Sequence, residues 1–240
     1  MAYAAGDAFG AFYEFAGTFE TIPRELKAKP GWPFGGISDD TALSLLTIQA
    51  LNDQEPGKRF LTLLRENLPK LRGLGPTTRS ALGLPVKPDE PGTIGNTNGA
   101  MMRTALCGLA NFSDEMIIDA IRVTHQHHEA LDYSLKMVNL FRGKQVLNIA
   151  RPSGEIGLHP AEAFEATCYV VNRANSTAEA YELACSLGGD TDTVAALSGA
   201  LYLLKHPEDQ FLQIEWLPQV DWSEIARDID SAVEILRRYS

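Results

Sequence analysis

The sequence predicts an all-α fold. Apolar positions recur three and four residues apart along most of its 240 residues, β-branched clusters are few, and two Gly- and Pro-rich stretches separate the periodic runs. A helix beginning near Thr41 follows Ser38-Asp39-Asp40, and one beginning near Ala100 follows the loop Gly95 to Gly99. Asp114 to Phe141 reads as one long helix that Gly143 ends. Periodicity then places helix starts near Pro160, Thr177 and Trp222, and Thr193 opens the apolar run Val194-Ala-Ala-Leu-Ser-Gly-Ala-Leu-Tyr. The irregular stretches are Pro23 to Ile37 and Gly73 to Gly99. No internal repeat, low-complexity tract or linker interrupts the chain, so a single domain over residues 1–240 is expected.

A hydrophobic content of 45% suits a sizeable core rather than disorder. The net charge of -10 argues against a general nucleic-acid-binding surface and against attraction to anionic lipid, whereas a pocket that captures cations is compatible with it. Cys107, Cys168 and Cys185 are odd in number and lie in apolar surroundings, which points to reduced core thiols and a cytoplasmic location. No run is long and apolar enough for a membrane span, and the N-terminus lacks a basic region followed by an apolar stretch.

Gly188-Gly189-Asp190-Thr191-Asp192-Thr193 and Ser38-Asp39-Asp40-Thr41 are twins, each an acidic stretch directly before an apolar helical run. An ordinary helix start needs one Ser, Thr, Asp or Asn to satisfy its free N–H groups, and the plain reading of either stretch alone is a cap matched to the helix dipole. Two such clusters in one fold repel unless something positive lies between them. Ser38, Asp39, Asp40, Asp190, Asp192 and Thr193 offer hard oxygen ligands of the kind divalent cations take. Glu14 brings the carboxylates to five; taken alone it reads as a solvated residue on an amphipathic helix, with Phe9, Phe12 and Phe15 nearby. Gly95-Asn96-Thr97-Asn98-Gly99 precedes a helix and offers backbone N–H groups to a diphosphate, or is a plain Gly/Asn loop; it lacks the Lys of a Walker sequence. His125 and His128 share a face of the expected long helix without the spacing of a zinc motif, and His127 and His128 read as solvated or capped.

Gly6-Asp7-Ala8-Phe9-Gly10-Ala11-Phe12-Tyr13-Glu14, Ser38-Asp39-Asp40-Thr41, Asn98-Gly99-Ala100-Met101-Met102-Arg103, Thr124-His125 and Gly188-to-Thr193 occur in the order that marks ADP-ribosylglycohydrolases. The chain resembles that family from about its first residue to roughly Leu204. The resemblance implies a compact, all-helical fold and a binuclear magnesium (Mg2+) site held by Ser38, Asp39, Asp40, Asp190, Asp192 and Thr193, with manganese (Mn2+) also compatible. Ser38 stands where the family usually has Thr. The resemblance also implies that Glu14 is the catalytic glutamate beside the metal. Gly95, Asn96, Asn98 and Gly99 would bind substrate, and His125 would lie beside the substrate's ribose or phosphate. Arg103 is expected to be structural, pairing with a buried carboxylate. The function implied is hydrolysis of the bond between ADP-ribose and an acceptor on a protein, nucleic acid or small molecule. The alternatives are a non-enzymatic member that binds ADP-ribose or serves a structural role, and a metal-dependent phosphoesterase acting on the diphosphate.

Overall fold

A computed structural model describes residues 1–22, 24–87 and 95–240; the part of the second irregular stretch at 88–94 lies outside them. The described residues form eleven α-helices and no β-strand. The chain divides into two compact units, one made of Met1–Thr41, Gln145–Gly157 and Glu162–Ile225, the other of Ala42–Lys144, Leu158–Ala161 and Ala226–Ser240. Neither is one contiguous stretch, which is why no linker in the sequence marks a boundary. No helix among the described residues is long and apolar enough to cross a membrane.

The first unit is built on α1 (Ala2–Gly10), α9 (Thr177–Leu187) and α10 (Thr191–Lys205). Packing of α1 on α10 depends on two glycines one turn apart. A Cβ on Gly6 would lie 2.5 Å from the carbonyl oxygen of Ala195, and one on Gly10 would lie 2.5 Å from the Cα of Asp192. The backbones therefore approach closely on the face that carries Gly6 and Gly10, and the hydroxyl of Thr191 donates to the Gly10 carbonyl at 2.9 Å. Residues Thr191 to Gly199 are all buried, as a helix apolar on most of its circumference must be. Phe9 stacks on Trp216 at 4.8 Å between ring centres, and the buried Tyr181 hydroxyl donates to the Ala2 carbonyl at 2.7 Å.

The second unit centres on the rest of α2 (Asp39–Ala50), α3 (Pro56–Asn67) and α5 (Gly99–Thr104), whose Leu43, Leu46, Ala50, Phe60, Leu63, Leu64 and Met102 form one apolar cluster. A short helix, α4 (Pro76–Ala81), interrupts what reads in sequence as irregular. The single helix expected over Asp114 to Phe141 is two, α6 (Asp114–Arg122) and α7 (His128–Phe141). The cause is Arg103. Its guanidinium, buried with the side chain over the Phe60 ring, donates to the carbonyls of Ala120 at 2.9 Å and Ile121 at 3.4 Å, satisfying the end of α6 and complementing its dipole. His127 then caps α7 by accepting from the Glu129 N–H. His125 therefore lies between helices and shares no helix face with His128. The carboxylate partner expected for Arg103 is replaced by carbonyls and hydroxyls, and burial presses its pKa down to about 9 without discharging it at neutral pH. The remaining helices are α8 (Pro160–Val171) and α11 (Trp222–Arg238).

Candidate active site

The acidic start of α10 is presented by a turn that only glycine can make. Gly188 and Gly189 take φ of 72° and 76°, and a Cβ on Gly189 would lie 2.0 Å from the Ile156 carbonyl oxygen. Ile156 straps this turn: its N–H donates to the Gly188 carbonyl at 3.2 Å, and its carbonyl accepts from the Asp190 N–H at 2.8 Å. The Phe15 N–H donates to the Gly189 carbonyl at 2.8 Å, fastening the segment that carries Glu14 to the same turn. Glu14 stands beyond the end of α1 rather than on it. Its neighbour Phe15 is 53% exposed, so the apolar surroundings expected for Glu14 are only partly present.

The acidic start of α2 is organised by a carboxylate to which the sequence reading gave no role. Asp7, fully buried between Gly6 and Gly10, accepts from the N–H groups of Ser38 and Thr41, each at 3.0 Å. Ser38 Oγ accepts from the Asp40 N–H at 3.0 Å. Capping of α2 thus falls to Asp7 and Ser38. Asp190 occupies the N-cap position of α10, yet its side chain makes no capping hydrogen bond to the first turn. Capping therefore leaves Asp190 unaccounted for at the start of α10, where Asp192 is the aspartate that accepts from a first-turn N–H. Asp40 ties the two starts together by accepting from Thr193 Oγ1 at 2.8 Å, and Asp192 accepts from the Thr193 N–H at 3.0 Å.

Glu14, Asp190 and Asp192 bring carboxylate oxygens within 4.8 Å of one another, with both aspartates buried. Burial and like charge act in one direction here. Burial first, then the charges of Asp7, Glu14 and Asp190, pushes Asp39 up to about 8. Burial and neighbouring carboxylates also raise Asp40 and Asp192 well above the usual range, and burial raises Asp7 against the hydrogen bonds it accepts. A cation does reach the cluster: the Lys29 ammonium is ion-paired with Glu14. Burial works against its charge, but Glu14 and, farther off, Asp192 and Asp7 outweigh that and hold its pKa above the ordinary value. The grouped donors are hard carboxylate oxygens throughout, convergent, buried and short of positive charge, which fits a magnesium-type ion and not a thiolate- or imidazole-seeking one.

The other expected site residues belong to the second unit. Gly95 turns at φ 75°, Asn98 precedes α5 with its N–H donating to the Leu158 carbonyl at 2.8 Å, and Gly99 packs with room for no more than a close contact to the His125 ring. The Asn96 amide donates to Glu129 Oε2 at 2.9 Å. His125 lies against this loop, its ring 3.4 Å from where a Cβ on Gly99 would stand. It is fully buried and both ring nitrogens are engaged. Arg103 donates to Thr124 Oγ1 at 2.9 Å; Thr124 lies 2.8 Å from His125 Nδ1; His125 Nε2 lies 2.9 Å from Thr97 Oγ1; and Thr97 donates to Thr77 at 3.0 Å. Because Thr97 spends its one hydroxyl proton on Thr77, Nε2–H donates to Thr97, and in a neutral ring Nδ1 then accepts from Thr124, whose oxygen accepts from Arg103 and whose other acceptor within reach is the Ile121 carbonyl at 3.3 Å. The ring is neutral because burial, aided by Arg103, lowers the pKa of His125 to about 3. His125 therefore holds the Asn96–Asn98 loop through Thr97.

Residues 1–142 match the family model of ADP-ribosylglycohydrolases. Among solved structures the chain is similar to one described as an ADP-ribosylglycohydrolase-related protein complex, with a TM-score of 0.77 and 24% identity over 100% of this chain and 95% of that one. That likeness is one of fold. No curated protein sequence gives a significant match. With more than half of its length matched by the family, including Glu14 and the Asp39–Asp40 helix start, the chain belongs to the ADP-ribosylglycohydrolases.

Proposed function

We propose that this protein is a magnesium-dependent hydrolase that cleaves the glycosidic bond between ADP-ribose and an acceptor, reversing ADP-ribosylation of a protein, nucleic acid or small molecule. The observation that carries the reading is the excess of carboxylate over capping need at the two helix starts. Asp7 and Ser38 cap α2, and the Asp190 side chain caps nothing in α10, while Glu14, Asp190 and Asp192 converge. Asp39, Asp40, Asp190 and Asp192, with the hydroxyls of Ser38 and Thr193, would hold two magnesium ions, for which manganese is an adequate substitute. When bound, the metal supplies the positive charge that offsets these carboxylates and a Lewis-acid centre for hydroxyl oxygens of a sugar.

Glu14 is the residue assigned to proton transfer. Its carboxylate accepts a proton from the attacking water as the water oxygen bonds to the anomeric carbon, and the bond to the acceptor breaks with its electron pair going to the acceptor, which takes up a proton as it leaves. Positive charge developing on the sugar is stabilised by buried carboxylates, which act strongly where water is excluded. In the second unit, Gly95, Asn96, Asn98 and Gly99 are assigned to ADP-ribose binding, and His125 to positioning that loop. Three buried free thiols, Cys107, Cys168 and Cys185, support a reducing, cytoplasmic setting.

The test is product analysis by mass spectrometry on ADP-ribosylated arginine, serine and DNA, with and without EDTA. Free ADP-ribose that appears only with magnesium supports the reading. AMP with ribose phosphate would assign the chain to phosphoester cleavage, and intact substrate alongside measurable ADP-ribose binding would make it a non-enzymatic binder.

A further inference from the structure

Lys29 lies outside every motif that marks the family pattern, in the stretch that reads in sequence only as irregular. In the fold it is locally well determined. Lys29-Pro30-Gly31-Trp32 closes a turn in which the Trp32 N–H donates to the Lys29 carbonyl at 3.0 Å, with Pro at the second position and Gly31 at φ 82° in the third. This is the residue pattern of a type II turn. The turn brings its first and last side chains together, so the Lys29 ammonium sits 4.3 Å from the centre of the Trp32 ring. Its other partner is Glu14 Oε2, and both side chains of this pair are mostly buried, with 23% of Lys29 and 21% of Glu14 exposed.

We propose that Lys29 is a tethered cation of the acidic site, seated on Glu14 when no metal is bound, which a divalent ion must displace, so that Lys29 sets the site's affinity for metal. The inference rests on the proposed metal site, and adds to it that the ion held by Asp190 and Asp192 also draws on Glu14, whose carboxylate converges with theirs. Their oxygens lie within 4.8 Å of one another, so an ion bound among them comes close to whatever Glu14 holds. A divalent ion drawn to within about 2.1 Å of such oxygens meets an ammonium already bonded to one of the three carboxylates, and the two cations repel. The Trp32 face holds Lys29 near the site after displacement, so the ammonium re-enters when metal leaves. A mere pin between the turn and Glu14 makes the opposite prediction, because a loosened Glu14 would bind metal no better, or worse.

The experiment uses the full chain, stripped with EDTA and dialysed, titrated calorimetrically with magnesium as wild type, Lys29→Met, Lys29→Arg and Lys27→Met. Lys27 is the control: its ammonium rests over Phe12 at 5.4 Å and pairs with Glu25 at 3.9 Å, so its removal subtracts the same charge nearby without touching Glu14. Expected is magnesium binding about tenfold tighter in Lys29→Met, within roughly threefold of wild type in Lys29→Arg, and changed by less than about twofold in Lys27→Met. The metal-free Lys29→Met protein should also melt below wild type, with the gap closing on saturation. Equal or weaker binding in Lys29→Met overturns the proposal, as does an equal gain in Lys27→Met, which would assign the effect to general charge. Magnesium binding to none of the four overturns both this proposal and the metal reading, whereas equal binding by wild type and Lys29→Met removes this proposal alone. A circular dichroism spectrum matching wild type confirms that each variant is folded.

Discussion

Glu14 and His125 show how its surroundings decide what a titratable side chain can do. Glu14 is half-buried beside two buried aspartates and ion-paired with a lysine, and its shape and its charge are separable by a single substitution. Glu14→Gln should keep ADP-ribose affinity within about tenfold, ~1.4 kcal/mol, since the amide retains the volume. Turnover should fall by roughly 10²–10⁴, because an amide cannot accept the proton. Binding calorimetry beside a turnover assay separates the two, and a wild-type rate would make Glu14 structural. For His125 the observable is pH. Its folded pKa of about 3 lies below the ordinary value of 6.5, so between these limits the unfolded chain binds a proton that the folded one refuses. The associated stability is complete above pH 6.5 and declines on acidification by about 1.4 kcal/mol per unit toward pH 3. His125→Asn should flatten that part of the curve of unfolding free energy against pH, measured in urea at pH 6.5, 5.5 and 4.5. An unchanged slope would mean that the ring is charged in the fold and that the one-way chain from Arg103 to Thr77 is wrong.

At the level of elements, the site's precision comes from backbones that touch. Gly10→Ala would place a Cβ 2.5 Å from the Asp192 Cα, and Gly189→Ala one 2.0 Å from the Ile156 carbonyl in a conformation that L-residues avoid. Each should cost about 1–3 kcal/mol or more and loosen magnesium binding, because the displaced backbone carries the ligands. Gly75→Ala, where nothing lies within 4 Å, should cost under about 1 kcal/mol and leave metal binding alone. Urea unfolding with magnesium titration checks all three; equal costs at Gly10 and Gly75 would show that α1 and α10 do not need their close approach. The same contacts explain what sequence could and could not reveal. Helix starts at Asp114, Pro160, Thr177 and Trp222 were legible because periodicity and local composition fix them, and the acidic clusters were legible because two carboxylates exceed what a cap needs. The break between α6 and α7 was hidden because its cause, the Arg103 guanidinium, arrives from another helix. Asp7 went unassigned for the same reason: the N–H groups it caps lie 31 and 34 residues away. Lys29 gave no signal at all, since a lysine beside Pro and Gly looks like an exposed loop residue until the turn closes onto Glu14.

Over the whole molecule, the net charge of -10 conceals an uneven distribution. Glu14, Asp7, Asp39, Asp40, Asp190 and Asp192 all belong to the first unit and interact with one another there, and this concentration makes stability depend on pH and metal together. In the metal-free protein the folded pKa values of Asp39, at about 8, and of Asp40, Asp192 and Asp7 lie above those of an unfolded carboxylate. The folded state therefore holds protons that the unfolded chain has released. Their contribution is complete below about pH 4 and is lost as pH rises through their raised folded values, which for Asp39 is about 8, opposite in sign to that of His125. Bound metal replaces those protons, so its stabilising effect should grow over the same window. Ions present at about 100 times their dissociation constant add ~2.7 kcal/mol if they bind the folded state alone. We expect the melting temperature in EDTA to fall from pH 5 to pH 8 and to recover with magnesium, the recovery being larger at pH 8 than at pH 5. Asp190→Asn and Asp192→Asn, each replacing an anionic ligand with a neutral amide of similar volume, should fold, melt higher than wild type in EDTA at pH 8, and gain little from magnesium while losing turnover. Superimposable melting curves with and without magnesium across this range would mean that protons and Lys29 alone balance the cluster, leaving the two acidic helix starts without a metal to explain them.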